Sequence, residues 1–172
     1  LTNEKKLKSF IKPMLAKLSE EAFNDKDWIF EIKWDGYRAI ADLSHDAPLF
    51  YSRNGISFLS KFDKIAQDFG QQKHSMILDG EVVAYNEQGK PDFQLLQQIG
   101  DNPGAALAYQ VFDILWLNGH STEDLPLIQR KELLKEAGYD ENNPAIEYLK
   151  LKGFVAMKPL TDEELQSKED RK

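Results

Sequence analysis

The sequence predicts an α+β fold in which antiparallel sheets are flanked by helices. Asp-Gly or Asn-Gly pairs at 35–36, 54–55 and 118–119 end apolar, strand-like segments, as expected for tight turns between strands. Other segments have a helical period, and no regular strand–helix–strand series runs along the chain. The 172 residues are enough for one domain with a sizeable core.

The segment from 28 to 35 predicts the first strand. Alternation gives this strand two faces that differ in charge. One face carries Trp28, Phe30, Ile32 and Trp34, and the other carries Ile29, Glu31, Lys33 and Asp35. Because the charged side chains share a face, we expect that face to line a pocket. The Asp35-Gly36 pair predicts a hairpin turn into the next strand.

Later elements follow from alternation, apolar stripes and capping residues. An apolar stripe at helical spacing predicts a helix over 58–69. We expect a short helix over 93–100, and a longer one over 126–138 because that segment begins with proline and ends with glycine. The further predicted strands are 37–43, 49–55, 76–85 and 108–119.

Composition excludes several classes of protein. No apolar run approaches the roughly 20 residues that a membrane-spanning helix needs. The absence of cysteine excludes a disulfide framework and a thiolate metal site, which fits a reducing cytoplasm. The net charge of -7 argues against coating nucleic acid by bulk charge, although the first 20 residues are locally basic.

Lys33 is the candidate for covalent chemistry. An ordinary lysine, with a pKa of about 10.4, is a poor nucleophile at neutral pH, so a catalytic amine needs a supporting site. One such chemistry is a Schiff base with a carbonyl. Another is attack on a nucleotide α-phosphate, which requires cationic groups at the phosphate and a carboxylate for Mg²⁺. Arg38, Arg53 and Glu81 are groups of those kinds.

Four motifs occur in order along the chain. They are K-x-D-G-x-R at 33–38, S-R-N-G at 52–55, L-D-G-E-V-V at 78–83 and F-D-I-L-W-L-N-G at 112–119. Together they resemble the adenylation (nucleotidyltransferase) domain of ATP-dependent DNA ligases. The likeness is closest to the bacterial ligases associated with end-joining repair. The segments KPMLAKL at 12–18 and LPLIQRKELL at 125–134 resemble flanking parts of that domain.

The resemblance implies a role for each candidate residue. Lys33 would attack the ATP α-phosphate to form lysyl-AMP, for transfer to a 5′-phosphate at a DNA break. Glu31 and Ile32 match the segment that holds adenine. Arg38 and Arg53 match contacts to ribose and phosphate. Glu81 matches a carboxylate that contacts ribose or helps to organise the metal, and Phe112 matches the aromatic ring that stacks on the base.

The resemblance also implies cofactors and partners. ATP and Mg²⁺ (or Mn²⁺) are the expected cofactors, and nicked or broken double-stranded DNA is the expected partner. We expect a monomer without membrane contact, acting in DNA repair in the bacterial cytoplasm at the nucleoid.

The last part of the chain departs from the family pattern, which continues with E-G-[apolar]-[apolar]-x-K and an OB-fold domain. In LKGFVAMKPL (151–160), Lys152 replaces the glutamate and Lys158 falls one place late. Lys158 is still a candidate contact to the α-phosphate. We expect most of a nucleotidyltransferase domain in 1–138 and a continuation that the motifs do not define in 139–172, with a charged tail from about 161. The OB-fold domain is expected to be absent from this chain.

Two other functions remain open from the sequence. An RNA ligase or an mRNA-capping guanylyltransferase shares K-x-D-G and a related carboxylate motif, although S-R-N-G with F-D-I-L-W-L-N-G favours the DNA ligases. A catalytically silent nucleotide- or DNA-binding module would explain the altered late motif.

Overall fold

An antiparallel sheet organises the described part of the chain. The computed structural model describes residues 10–15, 25 and 27–139. The strands within them are β1 (Tyr37–Asp42), β2 (Leu49–Ser52), β3 (Met76–Tyr85), β4 (Ala106–Leu117) and β5 (His120–Ser121). They pair in the order β2-β1-β3-β4-β5, and each neighbouring pair is antiparallel.

Short helices connect the strands. The described residues contain α1 (Asp63–Asp68), α2 (Phe93–Gln97) and α3 (Leu127–Glu136), and a 3-10 turn (Phe69–Gln71) extends α1. None of these helices is long and apolar enough to cross a membrane.

The described residues belong to two units. Residues 10–14 and 34–139 belong to the first unit, which contains the whole sheet. Residues 15, 25 and 27–33 belong to the second unit. Glu31, Ile32 and Lys33 are therefore in the second unit, and the other described candidate residues are in the first.

One face of the sheet is covered by the helices. Each α-helix contributes a buried side chain to this helix-side core, namely Ile65 from α1, Leu96 from α2 and Leu134 from α3. Phe50 on β2 and Phe62 before α1 are almost completely buried there. The core on this face therefore packs the three helices against the sheet.

The opposite face carries a smaller apolar cluster and a charged region. Ile11 is buried in the cluster with Ile77 of β3, and its backbone N–H donates to the Tyr51 hydroxyl at 3.4 Å. The N-terminal segment therefore packs on this side of the sheet. We call the charged region of this side the polar face; it carries Arg38, Asp79 and Glu81.

The prediction of a strand over 28–35 is wrong. Residues 29–35 form no strand, because β2 and β3 occupy both edges of β1 and no hairpin partner position remains. The two predicted faces differ in exposure over part of the segment. Glu31, Lys33 and Asp35 are exposed, whereas Ile32 and Trp34 are half-buried.

The helix predicted over 58–69 is shorter than expected, although its apolar stripe is correct. The Phe58 backbone N–H donates to the Phe50 carbonyl at 2.7 Å, which ties Phe58 to β2. Turns then precede α1, which begins at Asp63. Phe58, Phe62, Ile65 and Phe69 are nevertheless all buried.

The elements with strong local signals are confirmed. β3 spans 76–85, as predicted. The Asn118-Gly119 pair has positive φ at both residues, 46° and 94°, and joins β4 to β5 as a tight hairpin. Helix α3 begins after Pro126, and Gly138 with φ 96° follows its end.

Two motif glycines allow strands to approach closely. A Cβ at Gly36 would lie 2.0 Å from the Val82 carbonyl oxygen. A Cβ at Gly80 would lie 2.6 Å from both the Gln110 carbonyl oxygen and the Tyr109 ring. The Tyr109 ring crosses Gly80 because its hydroxyl, whose single proton is shared, lies 2.9 and 3.0 Å from the Ala39 and Leu78 carbonyl oxygens.

We expect Gly80→Ala to lower the free energy of unfolding by about 1–3 kcal/mol, since the methyl group must displace backbone or the Tyr109 ring. Urea denaturation followed by circular dichroism measures this loss. Gly104→Ala is the matched control, because a Cβ there meets no atom within 4 Å. Equal effects of the two substitutions would contradict the close approach at Gly80.

Candidate functional site

A row of polar residues crosses the middle of the sheet. In the strand register, Arg38 of β1 lies opposite Glu81 of β3, and Glu81 lies opposite Gln110 of β4. Glu81 is half-buried, and the Gln110 amide donates to the Tyr85 hydroxyl at 2.8 Å. Because directly paired residues share a face, this row places a cation, a carboxylate and an amide side by side.

Arg38 is held in one orientation by two contacts. Its Nε and Nη2 donate to the two carboxylate oxygens of Asp79, at 2.5 and 2.7 Å. Its guanidinium also lies over the Phe112 ring, 4.6 Å from the ring centroid. A forked ion pair and a stacking contact together fix the plane of a guanidinium, which a lysine could not reproduce. Arg38 is therefore pre-oriented on the polar face.

Asp79 and Arg38 respond differently to burial. The side chain of Asp79 is 3% exposed, so burial raises its pKa above the ordinary carboxyl value, and the Arg38 hydrogen bond and charge offset this only in part. The side chain of Arg38 is 27% exposed. Burial lowers its pKa, but the hydrogen bond and charge of Asp79, together with smaller contributions from Glu81 and Tyr109, outweigh burial, and the net pKa is raised. The carboxylate decides the pH response, because an arginine stays protonated throughout.

Phe112 reaches the polar face at an irregularity in β4. Asp79 pairs with Asp113 and Gly80 pairs with Val111, so Phe112 is an extra residue without a partner on β3. Because Phe112 lies two residues after Gln110, alternation already places its side chain on the polar face, and the β-bulge removes its pairing with β3. Here the ring lies under the Arg38 guanidinium.

The site contains groups to which the sequence analysis assigned no role. Asp79 orients Arg38; because it lies two residues before Glu81 on the same strand, alternation could have placed it on the same face. Arg130 and Lys131 of α3 contact Asp113 and Phe112, respectively. Both lie in the segment 125–134 that resembles a flanking part of the ligase domain, but no local signal assigns them a role, because their contacts depend on how α3 packs against β4.

The predicted residues are brought together only in part. Arg38, Glu81 and Phe112 lie together on the polar face, through the pairing and stacking described above. Arg53 is exposed in the turn after β2, and the described contacts of Arg38 and Asp79 do not include it. Glu31, Ile32 and Lys33 belong to the second unit. Lys158 lies outside the described residues.

A preformed metal site is not evident among the described residues. Within them, no group of three or more histidine, cysteine, aspartate or glutamate side chains could hold an ion. A single carboxylate such as Glu81 fits Mg²⁺ only where phosphates and water supply the other ligands, as is usual for this ion with nucleotides. The metal role of Glu81 therefore stays a prediction.

The sequence matches a known family over most of its length. The family model described as "ATP dependent DNA ligase domain" matches residues 13–169. The chain is 36% identical over 127 residues to the multifunctional non-homologous end joining protein LigD of Mycolicibacterium smegmatis, which covers 72% of this chain and 16% of that protein. It is 31% identical over 137 residues to the SPbeta prophage-derived DNA ligase-like protein LigB of Bacillus subtilis, covering 78% and 50%. The chain thus spans at most half of either relative.

Solved structures of DNA ligase D also match the fold. The mycobacterial DNA ligase D complexed with ATP and MES superimposes with a TM-score of 0.55 at 29% identity, covering 62% of this chain and 35% of that one. The ligase domain of M. tuberculosis LigD gives a TM-score of 0.54, also at 29% identity and with the same coverage. The predicted α+β fold with an antiparallel sheet is confirmed by these matches.

We expect Asp79→Asn to change how stability depends on pH. Because folding raises the pKa of Asp79, the folded state binds its proton more tightly, and this contribution to stability is lost as the pH rises above 3.8 through the raised value. The free energy of unfolding of the wild type, relative to Asp79→Asn, should therefore fall with rising pH. Urea titrations between about pH 4 and pH 7 test this. A relative stability that rises over this range would show that the Arg38 contact, rather than burial, dominates.

Proposed function

Because the chain belongs to the ATP-dependent DNA ligase domain family, we propose that it transfers AMP from ATP to its own lysine as the first step of DNA joining. The observation that supports this best is the arrangement of Arg38, which Asp79 orients and which stacks on Phe112 beside Glu81. A fixed guanidinium, an aromatic ring and a carboxylate are the groups needed for a phosphate, a base and a ribose or metal ion.

Lys33 is the proposed nucleophile, by its position in K-x-D-G-x-R. Its deprotonated Nζ attacks the α-phosphorus of ATP, and the bond to the oxygen bridging the β-phosphate breaks. Pyrophosphate leaves with the electron pair, and the nitrogen loses a proton to give lysyl-AMP. An oxygen of a DNA 5′-phosphate then displaces the lysine, which takes up a proton. Finally a 3′-hydroxyl loses its proton as its oxygen bonds to the 5′-phosphorus of the DNA, and the bond to AMP breaks, so AMP leaves with the electron pair and the strands are joined.

The other residues bind and orient the nucleotide. Glu31 and Ile32 hold adenine, partly through backbone groups, and Phe112 stacks on its ring. Arg38 and Arg53 contact ribose and phosphate, which sets the α-phosphate in line for attack. Lys158 is proposed as a further α-phosphate contact.

Mg²⁺ is the proposed metal, and Mn²⁺ could replace it. When bound, the ion neutralises charge on the phosphates. Glu81 would hold it from the polar face, or would instead bind the ribose. A single half-buried carboxylate is enough for Mg²⁺ where the nucleotide phosphates and water complete the coordination.

Nicked or broken double-stranded DNA is the proposed partner of the charged enzyme, in bacterial DNA repair at the nucleoid. An acidic chain with a net charge of -7 would grip phosphates better with the help of a basic partner domain. An OB-fold domain would supply that contact, and the adenylating unit would act as a monomer.

Mass spectrometry after incubation with ATP and Mg²⁺ tests the nucleophile. We expect one covalent AMP on Lys33 and complete loss of the adduct in Lys33→Ala, since alanine has no amine. Lys73→Ala, which removes another exposed lysine, should retain the adduct. Labelling by GTP alone would favour a capping-type guanylyltransferase, and no label with either nucleotide would favour a silent binding module.

Glu81→Gln separates the two roles proposed for that side chain. Glutamine keeps a hydrogen-bond acceptor for ribose but removes the charge that favours a metal ion. If Glu81 organises Mg²⁺, the Mg²⁺ concentration for half-maximal adenylation should rise by about tenfold, equivalent to about 1.4 kcal/mol. Glu87→Gln, in the exposed turn after β3, is the control. An unchanged Mg²⁺ dependence would restrict Glu81 to the ribose.

A further inference from the structure

At the bulge in β4, helix α3 supplies a hydrogen-bond donor to a residue that has no partner on β3. Phe112 has no partner on β3, so its backbone lies outside the regular ladder at this point. Buried backbone groups need hydrogen-bond partners. The Lys131 Nζ donates to the Phe112 carbonyl, and Lys131 is only 9% exposed. The ammonium of a largely buried lysine thus donates to the backbone of the bulged residue.

The residue after the bulge is anchored by the same helix. Arg130 Nε and Nη2 donate to the two carboxylate oxygens of Asp113, at 2.7 and 2.9 Å, and Nη1 donates to the Leu125 carbonyl at 2.6 Å. Asp113 also accepts from the Ile114 backbone N–H at 2.9 Å. Consecutive residues of α3 therefore hold consecutive residues of β4.

Helix packing alone does not require these two charged residues. Leu134 already contributes α3 to the helix-side core. Burying an ammonium and a guanidinium costs free energy that an apolar side chain would not cost. Lys131 and Arg130 instead make directional contacts with the Phe112 carbonyl and the Asp113 carboxylate, respectively. These contacts fix the backbone from which the Phe112 ring projects.

We propose that Lys131 and Arg130 are positioning residues that set the Phe112 ring at the base-stacking position. This inference rests on the proposed function, because it assumes that Phe112 stacks on the base. The chain of contacts runs from α3 through the β4 bulge to Phe112, whose ring then stacks on Arg38. Loosening the bulge would displace the ring without removing any group that touches the nucleotide.

Calorimetric titration of the 172-residue chain with ATP and with ribose 5-triphosphate tests the proposal, because only ATP carries the base. We expect Lys131→Met, which keeps the stem but removes the donor, to weaken ATP binding by about tenfold, a typical loss for one base–aromatic stack. Binding of ribose 5-triphosphate should not change. Phe112→Ala should give the same selective loss, and the double variant should lose little more.

Matched variants make the result decisive. Lys135→Met, in the exposed last turn of α3, should leave both affinities unchanged. Lys131→Arg, which retains a donor, should recover most of the ATP affinity. Circular dichroism would confirm that each variant is folded at the titration temperature.

The possible outcomes separate the inference from the function on which it rests. If Phe112→Ala selectively weakens ATP binding but Lys131→Met weakens both ligands equally or neither, Lys131 only holds the helix and the inference is overturned. If Phe112→Ala leaves ATP binding intact, base stacking by Phe112 is wrong and the inference fails with it. If the wild type binds neither ligand, the proposed function itself fails.

Discussion

The forked ion pair between Arg38 and Asp79 is the interaction on which the polar face depends. Asp79 is almost completely buried, and its charge would be costly without a partner. Arg38 supplies that partner from the neighbouring strand and at the same time stacks on Phe112. One cation therefore joins β1, β3 and β4 on the face opposite the helices. A pair of this kind contributes more to geometry than to stability, since desolvation offsets much of the attraction.

Much of the fold could be predicted from local sequence. Segment 76–85 alternates cleanly, and 126–138 carries both helix boundaries, so each is observed close to its predicted limits. The strand predicted over 28–35 failed for a non-local reason. Alternation reports which side chains share a face, and Lys33, Glu31 and Asp35 are alike in being exposed. It does not report whether a partner strand has an edge to offer, and both edges of β1 are already paired.

The candidate site was predictable to a similar extent. Arg38, Glu81 and Phe112 were chosen from motifs, and the strand register brings them together. The supporting groups were missed because their roles arise from tertiary structure. Asp79 matters because Arg38 reaches it from the neighbouring strand β1. Lys131 donates to the carbonyl of Phe112, the bulged residue of β4. The sequence of β4 contains no signal that Phe112 is the extra residue.

The two hydrogen bonds from Arg38 to Asp79 limit which of its nitrogens can bind a ligand. Nε and Nη2 face Asp79, and Nη2 also lies 3.4 Å from the Met14 carbonyl oxygen. Among the described residues no hydrogen bond reaches Nη1, so in the proposed site an incoming group would meet that end of the guanidinium. The forked edge formed by Nε and Nη2 is already occupied by Asp79, so Arg38 would fix the direction of an incoming oxygen without binding a phosphate through that edge. Such a contact suits a substrate whose position must be set to within a fraction of an ångström while its charge is neutralised by other groups.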